Sequence, residues 1–145
     1  IEQIGILTAI YPGVWGIGQL FTGKMADKYP KKQLLFIGML LQAAALLLFF
    51  MANSFLHYAV LAAILGWGTA MVYPTFLAAV AENTHPTDRA KSIGIFRLWR
   101  DLGYAIGAIL TGIVADLFNI NTSIILIGIL TLLSALVIKL RMRAD

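Results

Sequence analysis

No cysteine occurs in the chain, which excludes a disulfide framework and any cysteine-ligated metal site. Charge is scarce as well: Asp, Glu, Lys and Arg together make up 12% of the residues, about half the share found in a soluble domain. With 60% hydrophobic residues the chain lacks the polar surface needed to cover itself in water, and its mean hydropathy of +0.86 points to lipid as the solvent. Catalytic patterns are missing too. The two histidines, His57 and His85, stand near the ends of apolar runs, where they suit a membrane interface. There is no H-E-x-x-H zinc pattern, no G-x-S-x-G nucleophile turn and no phosphate-cradling glycine loop. No enzymatic activity, metal or cofactor is therefore expected. A net charge of +4 would suit nucleic acid, but the basic residues fall in short stretches between apolar runs, so no nucleic-acid partner is expected. An initiator Met, a basic n-region and a cleavage site are also absent at Ile1, so the segment is expected to come from within a longer chain.

The chain does have long hydrophobic stretches. A hydrocarbon core about 30 Å thick needs roughly 20 apolar residues in a helix. Five stretches meet that length, at residues 4–22, 34–51, 57–80, 93–117 and 122–139. Their apolar runs are continuous rather than alternating, which excludes transmembrane β-strands. The predicted fold is all-α: a polytopic transmembrane helix bundle in one partial domain, with short loops that force consecutive helices to be antiparallel. Gly5, Ala9 and Gly13 recur every four residues in the first span, as do Gly103 and Gly107, then Ala108 and Gly112, in the fourth. These stripes predict close helix packing.

Lys and Arg set the orientation. Lys24, Lys28, Lys31 and Lys32 follow the first span, and Arg89 and Lys91 follow the third. Arg97 and Arg100 open the fourth, and Lys139, Arg141 and Arg143 end the fifth. The opposite loops, at 52–55 and 119–121, carry no basic residue. The segment is thus expected to lie in the cell membrane as a multi-pass protein, N-terminus outside and C-terminus cytoplasmic.

Between the first two spans stands Gly23-Lys24-Met25-Ala26-Asp27-Lys28-Tyr29-Pro30-Lys31-Lys32. It resembles the loop signature of the major facilitator superfamily, G-x-x-x-D-[R/K]-x-G-[R/K]-[R/K], with Pro30 in place of the second Gly. Where that position needs positive φ, proline cannot serve. The departure suits the looser second copy of the motif, between helices eight and nine. Glu82, Pro86 and Arg89 after the third span are similar to the E…P…R loop after helices four and ten of the family. The stretch from Arg97 to Gly107 looks like the penultimate helix of prokaryotic facilitators. The resemblance covers nearly the whole chain and implies helices eight to twelve of twelve; helices two to six are the other possible register. It further implies, as partners, the bilayer, an N-terminal half of the same transporter and a small-molecule substrate. The implied function is secondary active transport of a small solute by alternating access, with proton-coupled efflux as the leading mode, since no nucleotide-binding motif supplies energy. A symporter or facilitator for a sugar or organic anion is the alternative, and a non-transporting receptor or assembly subunit is the alternative from another class.

The resemblance also assigns residues. Gly23, Asp27, Lys28, Lys31 and Lys32 would form a conformational-switch loop. Glu82 would pair with Lys28 or Lys31 in a cytoplasmic charge network joined by Arg89 and Arg97. The family's eighth, tenth and eleventh helices line the cavity, which implicates Tyr11, Trp15 and Gln19, then Trp67 and Tyr73, then Tyr104; the second and fifth spans, apolar apart from Gln42, would face lipid. Pro12 and Pro74 should bend their helices. Arg100 and Asp101 fall roughly one turn inside the hydrocarbon, where ionisable groups need partners. Two accounts remain open for them. Either Arg97 and Asp101 pair four residues apart, or Asp101 serves as a proton carrier or substrate anchor beside Arg100.

Overall fold

The computed structural model describes residues 2–142 and folds them into five α-helices: α1 (Glu2–Lys28), α2 (Lys31–Leu48), α3 (Phe55–Glu82), α4 (Arg89–Leu117) and α5 (Ile120–Arg141). Short 3-10 turns at Phe49–Met51 and Pro86–Asp88 extend α2 and precede α4. There is no strand among the described residues, and all five helices are long and apolar enough to cross a membrane. The architecture is an all-α transmembrane bundle. Arg143 lies outside the described residues.

The helices run past the apolar stretches because their polar ends continue the backbone hydrogen bonding; α1, for example, carries Lys28 on its last turn. Tight turns separate them. Pro30 takes φ −56° and ψ 121° ahead of α2, values the pyrrolidine ring favours, and no described residue has positive φ. The turn therefore makes no demand that only glycine could meet. On the other side of the bundle, Ser54 Oγ accepts from His57 N at 3.3 Å and Asn119 Oδ1 from Thr122 N at 2.8 Å, capping α3 and α5.

α3 is the hub. α1 and α2 both pack along it, α5 packs along α2, and α4 touches α3 and α5 only lightly. None of α4's residues is buried. Small residues make the tight seams. Gly18, Thr22 and Ala26, four apart, are the buried residues of α1. A Cβ on Gly66 of α3 would stand 2.6 Å from the Tyr11 carbonyl oxygen. Gly38 of α2 and Gly68 of α3 face each other so closely that a Cβ on Gly68 would lie 2.8 Å from the Gly38 carbonyl oxygen. Close backbone approach of this kind replaces hydrophobic association in lipid. The expected stripes are not the ones used: Gly5, Gly13, Gly103, Gly107 and Gly112 have nothing within 4 Å of a would-be Cβ. Four-residue spacing aligns neighbours such as Gly103 and Gly107, but none of these positions meets another described residue at that distance.

One contact locks α1 to α3. Pro74 has no N–H, so the Ala70 carbonyl one turn earlier loses its helical donor. Thr22 Oγ1 supplies the replacement, donating to Ala70 O at 2.6 Å from a side chain that is fully buried. A carbonyl left bare inside lipid would be expensive.

Candidate functional site

The basic end of the bundle gathers the last turns of α1, α3 and α5 with the first turns of α2 and α4. Lys31 Nζ lies 2.8 Å from Glu82 Oε1, so an ion pair ties the start of α2 to the end of α3. Lys31 is mostly buried and Glu82 more open. Lys28, the other partner considered for Glu82, is exposed, and neither it nor Asp27, Lys32 or Arg97 forms an ion pair among the described residues. Gly23 has open space beside it. Arg89 donates from Nε to the Ala81 carbonyl at 3.0 Å, closing the 83–88 turn rather than meeting a carboxylate. Lys139 of α5 lies over the Phe36 ring of α2, 5.2 Å from its centroid.

Deeper in the bundle, aromatic rings from α1 and α3 and a guanidinium from α4 form a continuous line. Tyr11 stacks on Trp15 in α1 with centroids 6.1 Å apart, and Trp15 meets Tyr73 of α3 edge-on at 6.4 Å. Tyr11 Oη reaches Thr69 Oγ1 at 3.4 Å. The Arg100 guanidinium of α4 then sits over the opposite partner, 5.3 Å from the Tyr73 centroid. Its Nε and Nη2 donate to Asp101 Oδ1 at 2.9 and 2.8 Å. The Arg97–Asp101 pair suggested by four-residue spacing is not formed. Tyr73 fixes the Arg100 guanidinium against α3, and from there its long stem lets the fork turn back onto the neighbouring carboxylate.

A cavity of about 390 Å³ opens between α2, α3 and α4 beside this line. Gln42 of α2 contributes an amide, α3 contributes Thr69, Tyr73 and Phe76, and α4 contributes Phe96, Trp99, Arg100 and Tyr104. Phe76 and Phe96 pack at 5.7 Å between centroids across the α3–α4 gap. Of the six aromatic and polar residues singled out from sequence, Tyr73 and Tyr104 line the cavity, and Tyr11 and Trp15 connect to it through Tyr73. Gln19 is not in its wall. Trp67 lies on the α1–α3 seam, its ring 3.3 Å from a would-be Cβ on Gly18. Thr69, Phe76 and Phe96 carry no sequence signal that separates them from packing residues. Gln42 does: an amide alone in an otherwise apolar span needs a polar neighbour or a cavity. Trp15 Nε1 is buried without a hydrogen-bond partner among the described residues.

These residues can hold a solute with an apolar body and one polar group, and they place an ion pair within helical reach of it. Among the described residues no cluster of His, Cys, Asp or Glu could hold a metal. The family model described as Major Facilitator Superfamily matches residues 1–145. The chain is 28% identical over 131 residues to the inner membrane transport protein YnfM of Escherichia coli (strain K12), covering 90% of this chain and 31% of that protein. It is 25% identical over 138 residues to an uncharacterized MFS-type transporter of Methanocaldococcus jannaschii, covering 93% and 35%. It is 28% identical over 117 residues to the multidrug resistance protein MdtH of Aeromonas hydrophila, covering 76% and 30%. The chain thus spans about a third of the length of the curated relatives it matches.

Proposed function

Because the chain belongs to the major facilitator superfamily, we propose that it supplies helices eight to twelve of a secondary transporter that moves a small solute by alternating access, coupled to protons at Asp101. The bundle would rock as part of one half against the other around the α2–α3–α4 cavity, with its basic end in the cytoplasm. The Lys31–Glu82 pair would hold the α2–α3 corner in one state at that end. The observation that carries the reading is the Arg100–Asp101 pair, set inside a membrane span beside a cavity, where ionisable residues mark ion and substrate pathways. One relative is named a multidrug resistance protein, and on that likeness we take efflux as the direction.

A second reading, uptake by symport, rests on a separate observation. Arg100 lines the cavity whereas Asp101 does not. A solute that displaces the Asp101 proton would exchange with it, whereas an anion that pairs with Arg100 would release Asp101 to take up a proton, so that solute and proton cross together. The test is Asp101→Asn in the full-length protein reconstituted in proteoliposomes. A proton carrier predicts normal expression, loss of gradient-driven transport and surviving counterflow exchange. Normal gradient-driven transport in a well-expressed Asn variant would remove the coupling role.

A further inference from the structure

We propose that the α2–α3–α4 cavity binds a small organic anion with a planar aromatic body, and that the Nη1 edge of Arg100 is its anchor. The inference deepens the symport reading above. It begins with how Arg100 is held. A guanidinium has five N–H donors in a rigid plane. Its Nε and Nη2 side is taken by Asp101 Oδ1, and its central carbon lies over the Tyr73 ring, 5.3 Å from the centroid. Nη1 makes no hydrogen bond among the described residues, and Arg100 is the one cation in the cavity wall. Two contacts thus hold the guanidinium while leaving Nη1 without a hydrogen-bond partner among the described residues. That is the arrangement that receives an anionic oxygen with little loss of side-chain freedom on binding.

The counter-charge stands off to one side. Asp101 is exposed and is not part of the cavity wall, so a bound molecule meets the guanidinium and not the carboxylate. A cationic solute would find no carboxylate in that wall. It would meet Arg100 instead, and like charges at close range in a site partly closed to water repel strongly. Selectivity for an anion therefore follows from which member of the pair faces inward.

The rest of the wall sets the body of the ligand. Phe76, Phe96, Trp99 and Tyr104 present ring faces and edges from two helices. Gln42 supplies an amide across from Arg100, on α2. A volume of about 390 Å³ is at the small end of ligand cavities. One or two fused rings carrying a carboxylate or sulfonate fill such a space; a long amphiphile does not.

Calorimetric titration of the purified full-length protein in lipid nanodiscs tests this, with naphthalene-1-sulfonate as the probe. Neutral naphthalene-1-sulfonamide and cationic 1-naphthylmethylammonium serve as comparisons of the same shape. The sulfonate should bind tightest, by roughly ten-fold or more over either, since a charge-assisted hydrogen bond contributes about that much. Arg100→Gln should erase the preference, and Arg100→Lys, which keeps the charge but loses the fork, should keep part of it. Should Arg100→Gln fail to fold, the order of the three probes on the unaltered protein decides. Equal or tighter binding of the ammonium, no binding of the sulfonate, or unchanged sulfonate affinity in a folded Arg100→Gln protein would overturn the anchor. Proteoliposome flux separates this from the transport reading. Arg100-dependent binding without any gradient-driven flux retains the anion site and removes the transporter, whereas proton-driven flux without sulfonate binding does the reverse.

Discussion

Thr22 and Pro74 sit on different helices, yet the second sets the task of the first. Removing an N–H from α3 leaves the Ala70 carbonyl without its helical donor, and the Thr22 hydroxyl supplies the bond at 2.6 Å. Thr22→Val keeps the shape and loses the donor, so it should lower the stability of the full-length protein by about 1–3 kcal/mol, the cost of an unmade buried hydrogen bond. Pro74→Ala restores the missing N–H. In that background Thr22→Val should cost much less, and a double-mutant cycle read by thermal unfolding in detergent would expose the coupling. Additive effects would mean that Thr22 does no more than fill space. The orphan carbonyl could have been deduced from Pro74 alone, by counting back four residues. Its donor could not, because one hydroxyl on a helix face looks like another until the α1–α3 crossing is known. Arg100 is a similar case. Its depth was evident from the length of the fourth span, but its partner depended on Tyr73, which only the fold brings within 5.3 Å.

At the scale of elements, the five helices were legible because lipid leaves a span few alternatives: every backbone group must be bonded within the segment, and only a long apolar helix does that. The packing faces were not legible. Glycine is spread through the chain, thirteen in all, and four-residue spacing marks stripes on α1 and α4 that touch nothing in the described structure. The glycines in use are Gly18, Gly38, Gly66, Gly68 and Gly128, and what distinguishes them is the helix opposite, not their spacing. Gly66→Ala gains about 1 kcal/mol of helix propensity. Against that, its Cβ would stand 2.6 Å from the Tyr11 carbonyl and 3.3 Å from the Trp15 amide nitrogen, both backbone atoms that cannot swing aside. Overpacking of this kind costs about 1–3 kcal/mol, so net destabilisation is expected, read as a lower melting temperature of the full-length protein. Gly107→Ala meets nothing within 4 Å and should be neutral or mildly stabilising as far as these five helices are concerned. A loss at Gly107 would therefore report a helix from elsewhere in the protein lying on α4.

Across the whole molecule, charge rather than packing carries the orientation. Eleven Lys and Arg residues occur in the chain, and the ten among the described residues all fall toward one end of the helices α1 to α5. The far loops are capped by uncharged groups instead, Ser54 on α3 and Asn119 on α5. Placing a Lys or Arg at the centre of a membrane helix costs about 2.5–3.5 kcal/mol, and the excess of such residues settles on the cytoplasmic side. The Lys31–Glu82 pair, Arg89 on the Ala81 carbonyl and Lys139 over Phe36 all lie at this basic end, so the side it faces is also the side on which an ion pair joins α2 to α3. Single cysteines at Asn53 and Asn83, both exposed, test the assignment in a cysteine-free version of the full-length protein. Asn53 lies in the uncharged loop before α3, and Asn83 lies just past the Glu82 end of the same helix. In intact cells an impermeant maleimide should label the residue 53 variant and leave the residue 83 variant unmodified until the membrane is opened. Both sites cap or bond locally, Asn53 to His57 Nδ1 at 2.9 Å and Asn83 to the Ala79 carbonyl at 2.9 Å, so each substitution removes one exposed or half-buried hydrogen bond and leaves the span intact. Labelling at 83 in sealed cells would invert the bundle, put the Lys31–Glu82 pair outside, and remove the basis for reading these helices as eight to twelve.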